Sequence, residues 1–176
     1  MSLTMSIIIG ISLSMDAFSL AMIYGTLNLN KKTIRTLSIA VGIFHFFMPQ
    51  IGFAIGKLLL NVIEIDPDIL VGLIFLFISL QMIFSVFKDE EITALKSIFS
   101  IILFSFTVSI DSFSVGFGLS GLVDSIYLQG IIFSLISAFF TFLGLNLGTK
   151  LASKFGNITT LIGSILLFFI SLDYLF

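Results

Sequence analysis

Six long apolar stretches, each interrupted by only a few polar residues and separated by short clusters of charged and turn-forming residues, set the pattern of this chain. A helix crossing the roughly 30 Å hydrocarbon core of a bilayer needs about 20 mostly apolar residues. On that measure the pattern predicts spans at residues 3–25, 36–60, 68–87, 97–120, 126–149 and 157–175. The connections, at 28–35, 61–68, 88–96, 121–125 and 150–157, are too short for a separate soluble domain. The expected fold class is an all-α integral membrane protein. The first span is expected to stay in the mature chain, because it lacks a basic leader and carries Asp16 inside its apolar run.

Positive charge orients these spans. Lys31, Lys32, Arg35, Lys88, Lys96, Lys150 and Lys154 fall in the first, third and fifth connections, whereas the opposite side has only Lys57. The bias toward one side places those connections in the cytoplasm and both termini outside. Glu64, Asp66, Asp68 and Asp124 then share the outer side with the termini. The Asp89-Glu90-Glu91 run reads as a solvated loop or an ion-attracting vestibule.

The two halves of the chain align in order at an offset of 91 to 95 residues. Ser14-Met15-Asp16-Ala17-Phe18-Ser19 lies over Ser109-Ile110-Asp111-Ser112-Phe113-Ser114, with Ser, Asp, Phe and Ser coinciding. His45, Pro49, Gly52 and Gly56 are spaced as Ser137, Thr141, Gly144 and Gly148 are, and Phe77-Ile78-Ser79-Leu80 recurs as Phe169-Ile170-Ser171-Leu172. Three helices is an odd number, so the second copy enters the membrane from the opposite face. The expectation is therefore two inverted three-helix repeats, residues 1–87 and 97–176, joined by a cytoplasmic linker at 88–96. Inverted repeats recur in secondary transporters, with the substrate site near the midplane.

Composition narrows the chemistry. Of 176 residues, 58% are apolar and only 10% charged, which excludes a soluble globule of this size. A net charge of -2, without a basic run, leaves no footprint for nucleic acid. Cysteine is absent, so thiolate metal sites and disulfides are excluded. Against this background Asp16 and Asp111 stand out. Each lies roughly 20 Å along its helix at 1.5 Å per residue, near the bilayer centre. An ionised Asp there costs about 2.5 to 3.5 kcal/mol unless something offsets it.

Helical spacing puts Ser12 and Ser19 on the face of Asp16, and Thr107, Ser114 and Gly118 on the face of Asp111. Two such stripes facing each other would line a cavity with oxygen, which suits a hard cation such as magnesium, calcium or manganese. The alternative is a protonated pair that only bonds neighbouring helices. His45, the sole histidine, reads as a third ligand, a proton carrier or a packing residue. Pro49 frees a carbonyl near residue 45, and the GxxxG pairs at 52/56 and 144/148 read as close-packing surfaces.

The segments SMDAFSLAMIYG (14–25), GIFHFFMPQIGFAIGKLL (42–59) and VSIDSFSVGFGLSG (108–121) together resemble the bacterial manganese efflux pump family, MntP, over essentially all six helices. The resemblance implies an exporter of Mn²⁺ in the cytoplasmic membrane, with Asp16 and Asp111 at the family's acidic positions and Gly25 at its small position ending the first helix. The expected metal site is Asp16 and Asp111 with His45, Ser12, Ser19, Thr107 and Ser114. Mn²⁺ is the transported substrate, so no cofactor is expected, and the partners are Mn²⁺, the lipid bilayer, a proton counter-ion and a second copy in a homo-oligomer. An intramembrane aspartyl protease would need a Gly-x-Gly-Asp context, which neither Asp has. The alternatives are a transporter of another cation or small solute and a non-transporting, sporulation-type membrane assembly protein, the latter separated from a transporter by metal flux.

Overall fold

The computed structural model describes residues 1–27, 29–60, 66–87 and 97–176, the side chains of residue 85 and of residues 149–157 excepted. The described residues are all-helical: α1 (Leu3–Gly25), α2 (Lys31–Leu60), α3 (Pro67–Ser85), α4 (Ile98–Val108), α5 (Ile110–Leu119) and α6 (Tyr127–Leu175). The linker at 88–96, with its acidic run, and the outer connection at 61–65 lie outside them.

Local chemistry sets several of the helix starts. Ser2 accepts from the N–H of Met5, Asn30 from that of Thr33, and Asp66 from that of Asp68, ahead of Pro67 in the first turn of α3. Ser97 and Ser100 form a reciprocal capping box before α4. Among the described residues six stretches are long and apolar enough to cross a membrane: Leu3–Gly25, Lys31–Leu60, Pro67–Phe84, Ile98–Leu119, Tyr127–Gly148 and Ile158–Leu175.

Two boundaries differ from the sequence pattern. The span expected at 97–120 is broken at Ser109 into α4 and α5. The helix expected to end near residue 149 is instead assigned continuously to Leu175. Its two arms nevertheless run in opposite directions. Residues at and beside Gly148 meet the end of α1 at Gly25, whereas Gly163 meets Ser12, half-way back along α1. Earlier in the first arm Phe133 and Ile136 meet Gly10, so α6 follows α1 from Gly10 to Gly25 and then returns to Ser12, which a straight helix of that length, on the order of 70 Å, could not do.

Within lipid the hydrophobic effect does not hold helices together, so close backbone approach takes its place. α1 runs parallel to the first arm of α6, with Gly144 against Phe18 and Met22, and Gly148 against Met22 and Gly25. α2 runs parallel to α5, with Gly52 against Phe113 and Phe117, and Gly56 against Phe117 and Ser120. Pro49 does not interrupt α2, and its backbone packs on Gly116. Outward-facing Phe47, Phe77, Leu135 and Phe169 are more than half exposed and form part of the lipid-facing skin.

Two apolar clusters fill the interior. One holds Ile9 and Leu13 of α1, Val71 and Phe75 of α3, Val115 and Leu119 of α5, and Phe133 and Leu167 of α6. The other holds Ala17, Ala21 and Tyr24 of α1, Leu37 and Val41 of α2, Phe104 and Val108 of α4, and Leu145 of α6. Asp16 lies between Leu13 and Ala17, and Asp111 between Val108 and Val115, so both acids fall on the seam between the clusters.

Any side chain at Gly52 or Gly144 would meet backbone directly: a Cβ at Gly144 would lie 2.7 Å from the carbonyl oxygen of Phe18. Gly52→Ala and Gly144→Ala are each expected to destabilise the fold by about 1–3 kcal/mol, the usual cost of overpacking. Gly118→Ala, whose new methyl would meet the movable Ile74 Cδ1 at 3.2 Å, is expected to cost less. Thermal unfolding midpoints in one detergent compare the three.

Candidate metal centre

At the break at Ser109 two hydroxyls bond to backbone carbonyls. Ser109 Oγ donates to the carbonyl of Ser105 at 2.7 Å, and Ser112 Oγ donates to the carbonyl of Ser109 at 2.7 Å. The Ser109 backbone sits at φ -101°, ψ 3°, between the helical and extended regions, and its N–H turns to Phe106 and Thr107. Asp111 therefore stands in the first turn of a new helix, where backbone N–H groups lack helical partners and the dipole favours negative charge. Its Oδ1 accepts from the N–H of Ser112 at 2.6 Å, and its Oδ2 is buried without a hydrogen-bond partner. Asp16 lies close enough for its charge to act on Asp111.

His45 is fully buried beside the same break. Its Nδ1 lies 3.0 Å from the carbonyl of Val41 and 2.9 Å from Ser109 Oγ. A carbonyl can only accept, so the contact with Val41 requires the proton on Nδ1. The lone pair is then on Nε2, which is buried and has no hydrogen-bond partner. A backbone carbonyl fixing one imidazole nitrogen while the other is left basic is the arrangement that metal-binding histidines use. Even so, among the described residues no three His, Cys, Asp or Glu side chains converge on one point. The structure thus relates Asp16 to Asp111 and ties His45 to the break, without closing the three into a cage.

The hydroxyls divide. Ser12 is buried and donates to the carbonyl of Ile8 at 2.9 Å; Ser19 is buried one turn beyond Asp16; Ser114 is half-buried one turn beyond Asp111. Thr107 stands four residues before Asp111, on the other side of the break at Ser109. It is exposed, donates to the carbonyl of Leu103 at 2.9 Å, and lines a cavity of about 370 Å³ with Leu20, Tyr24, Phe104 and Val108. That cavity opens beside the second apolar cluster and reaches to within one turn of Asp16 at Leu20.

The spacing argument missed Ser14, Ser109 and Ser137. Ser14 Oγ lies 2.9 Å from Ser137 Oγ and donates to the carbonyl of Gly10 at 2.6 Å. All three serines are fully buried. The available signal was that Ser14 and Ser109 open the two matching hexapeptides, while Ser137 occupies the place matching His45.

Residues 28–175 match the family model described as "Putative manganese efflux pump". Similar curated proteins, each called "Putative manganese efflux pump MntP", include that of Bacillus pumilus, 33% identical over 99% of this chain and 95% of its own. That of Geobacillus thermodenitrificans is 32% identical over 96% of this chain and 93% of its own. That of Methanocorpusculum labreanum is 34% identical over 97% of this chain and 94% of its own. No solved structure matches. With a multi-pass helical bundle, a pair of acids at its seam and relatives matching nearly end to end, the chain belongs to the MntP family, described as manganese efflux pumps.

Proposed function

We propose that this protein exports Mn²⁺ across the bacterial cytoplasmic membrane by alternating access, with Asp16 and Asp111 as the carboxylates that hold the ion. The observation that carries the reading is Asp111: a carboxylate at the start of a half-helix inside a membrane span, one oxygen buried without a partner, within electrostatic reach of Asp16. Broken spans that point helix ends at a midplane site are a recurring device of secondary transporters. Carboxylate and hydroxyl oxygens from Ser12, Ser19 and Ser114 suit Mn²⁺, and His45 Nε2 adds the borderline nitrogen donor that Mn²⁺ accepts. Thr107 belongs instead to the approach, in the cavity beside the inner apolar cluster.

Two inverted repeats, 1–87 and 97–176 with 88–96 between them and both termini outside, account for the pattern of contacts. Gly52 on Phe113 and Phe117 corresponds to Gly144 on Phe18 and Met22. His45 on Ser109 corresponds to Ser137 on Ser14, each pair 2.9 Å apart. The apolar cluster on either side of the acids then acts as one gate. Release of a divalent ion leaves two carboxylates that can take up protons, which makes proton exchange the natural coupling. No covalent chemistry is assigned.

The test is ⁵⁴Mn²⁺ flux in reconstituted vesicles. Asp16→Asn and Asp111→Asn should each cut flux by roughly 100-fold or more, above the usual cost of losing a mere supporting partner. Normal flux in either variant removes the site. His45→Gln should raise the half-saturating Mn²⁺ concentration by about tenfold while flux persists at high Mn²⁺; an unchanged value makes His45 a packing residue.

A further inference from the structure

At the start of α2 two cations stand without a carboxylate partner among the described residues. Lys31 and Arg35 are four residues apart, hence on one face of the helix, and both are exposed. With Ile34, Phe142 and Asn146 they line a cavity of about 240 Å³ between α2 and the first arm of α6. Two of the five lining residues are cationic, two are apolar and one is an amide. Ile34 belongs to the packed interior, and Phe142 is 42% exposed. Asn146 donates its Nδ2 to the carbonyl of Phe142 at 2.7 Å, which leaves its Oδ1 as an acceptor without a protein partner among the described residues.

The cavity lies where α2 passes from its charged first turn into its apolar run, the depth at which a helix leaves the headgroup layer. Two cations there, unpaired among the described residues, attract anionic lipid, and basic pockets between spans are recognised places for such headgroups. A free anion would use only the cations and leave Ile34 and Phe142 unexplained. An amphiphile uses both parts. The geometry points to a binding site for one anionic phospholipid, its phosphodiester between Lys31 and Arg35, a headgroup hydroxyl on Asn146 Oδ1, and acyl chains running past Phe142. The site is separate from the carboxylate pair and requires only that this end of the bundle meet a headgroup layer.

Native mass spectrometry of the full-length protein, titrated with phosphatidylglycerol or phosphatidylcholine, tests the site. Phosphatidylglycerol should bind at least about fivefold more tightly, and Lys31→Gln and Arg35→Gln should each weaken it by about fivefold, the usual effect of one cation beside an anionic surface. Lys32→Gln removes the same charge from the neighbouring residue, which does not line the cavity, and should change binding by less than about twofold. Circular dichroism of each variant confirms that it is folded. Equal binding of the two lipids by the unaltered protein overturns the proposal, as does a loss in Lys32→Gln equal to that in Arg35→Gln, which would mean diffuse surface attraction. Displacement of bound phosphatidylglycerol by millimolar inorganic phosphate would assign the cavity to a free anion instead.

Discussion

A carboxylate inside hydrocarbon has to be supplied with donors, a counter-ion or a proton, and most of the unusual features of this bundle are arranged around that requirement. The span containing Asp111 gives up helical continuity at Ser109, and thereby obtains a second helix start inside the membrane. The hydroxyl of Ser109 bonds the Ser105 carbonyl, whose usual N–H partner turns elsewhere at the break, and the hydroxyl of Ser112 adds a second donor to the Ser109 carbonyl. One carboxylate oxygen is bonded to the backbone, and the other remains available. An unbroken helix would have spent those N–H groups on its own carbonyls and left the acid with nothing but its neighbours' hydroxyls.

The surroundings of the two acids follow from how helices pack in lipid. Glycine allows the backbones of α1 and α6, and of α2 and α5, to approach closely enough for serine hydroxyls to reach across. Apolar clusters above and below the seam confine the polar groups to a thin layer. Such a layer is where a transported ion can be held while either cluster excludes water. In the proposed cycle the same small-residue contacts that hold the helices would also be the surfaces along which the halves move.

The two halves are alike in backbone contacts and unlike in chemistry. Ser14 with Ser137, and Ser109 with His45, occupy corresponding places at the same 2.9 Å separation, yet only one pair contains an imidazole. Only the Asp111 side has a break in its helix as well: α1 runs unbroken through Asp16. The imidazole and the extra helix start thus both lie at the break just before Asp111.

Much of this was legible along the chain. Alternation of apolar runs and charged connections determines six spans, because a bilayer-crossing helix must satisfy its own backbone and present apolar side chains over a set length. Asp16 and Asp111 announce themselves because charge at that depth is expensive, and glycine spacing marks the close-packed faces. Tertiary structure decided the rest. Helical periodicity predicts one continuous span through Thr107 and Asp111, whereas the ladder is interrupted at Ser109, a break that periodicity does not encode. Ser14, Ser137 and Ser109 acquire meaning only from partners 123 and 64 residues away. Local pattern reports which residues avoid lipid; which polar atoms then meet is settled by how the helices cross.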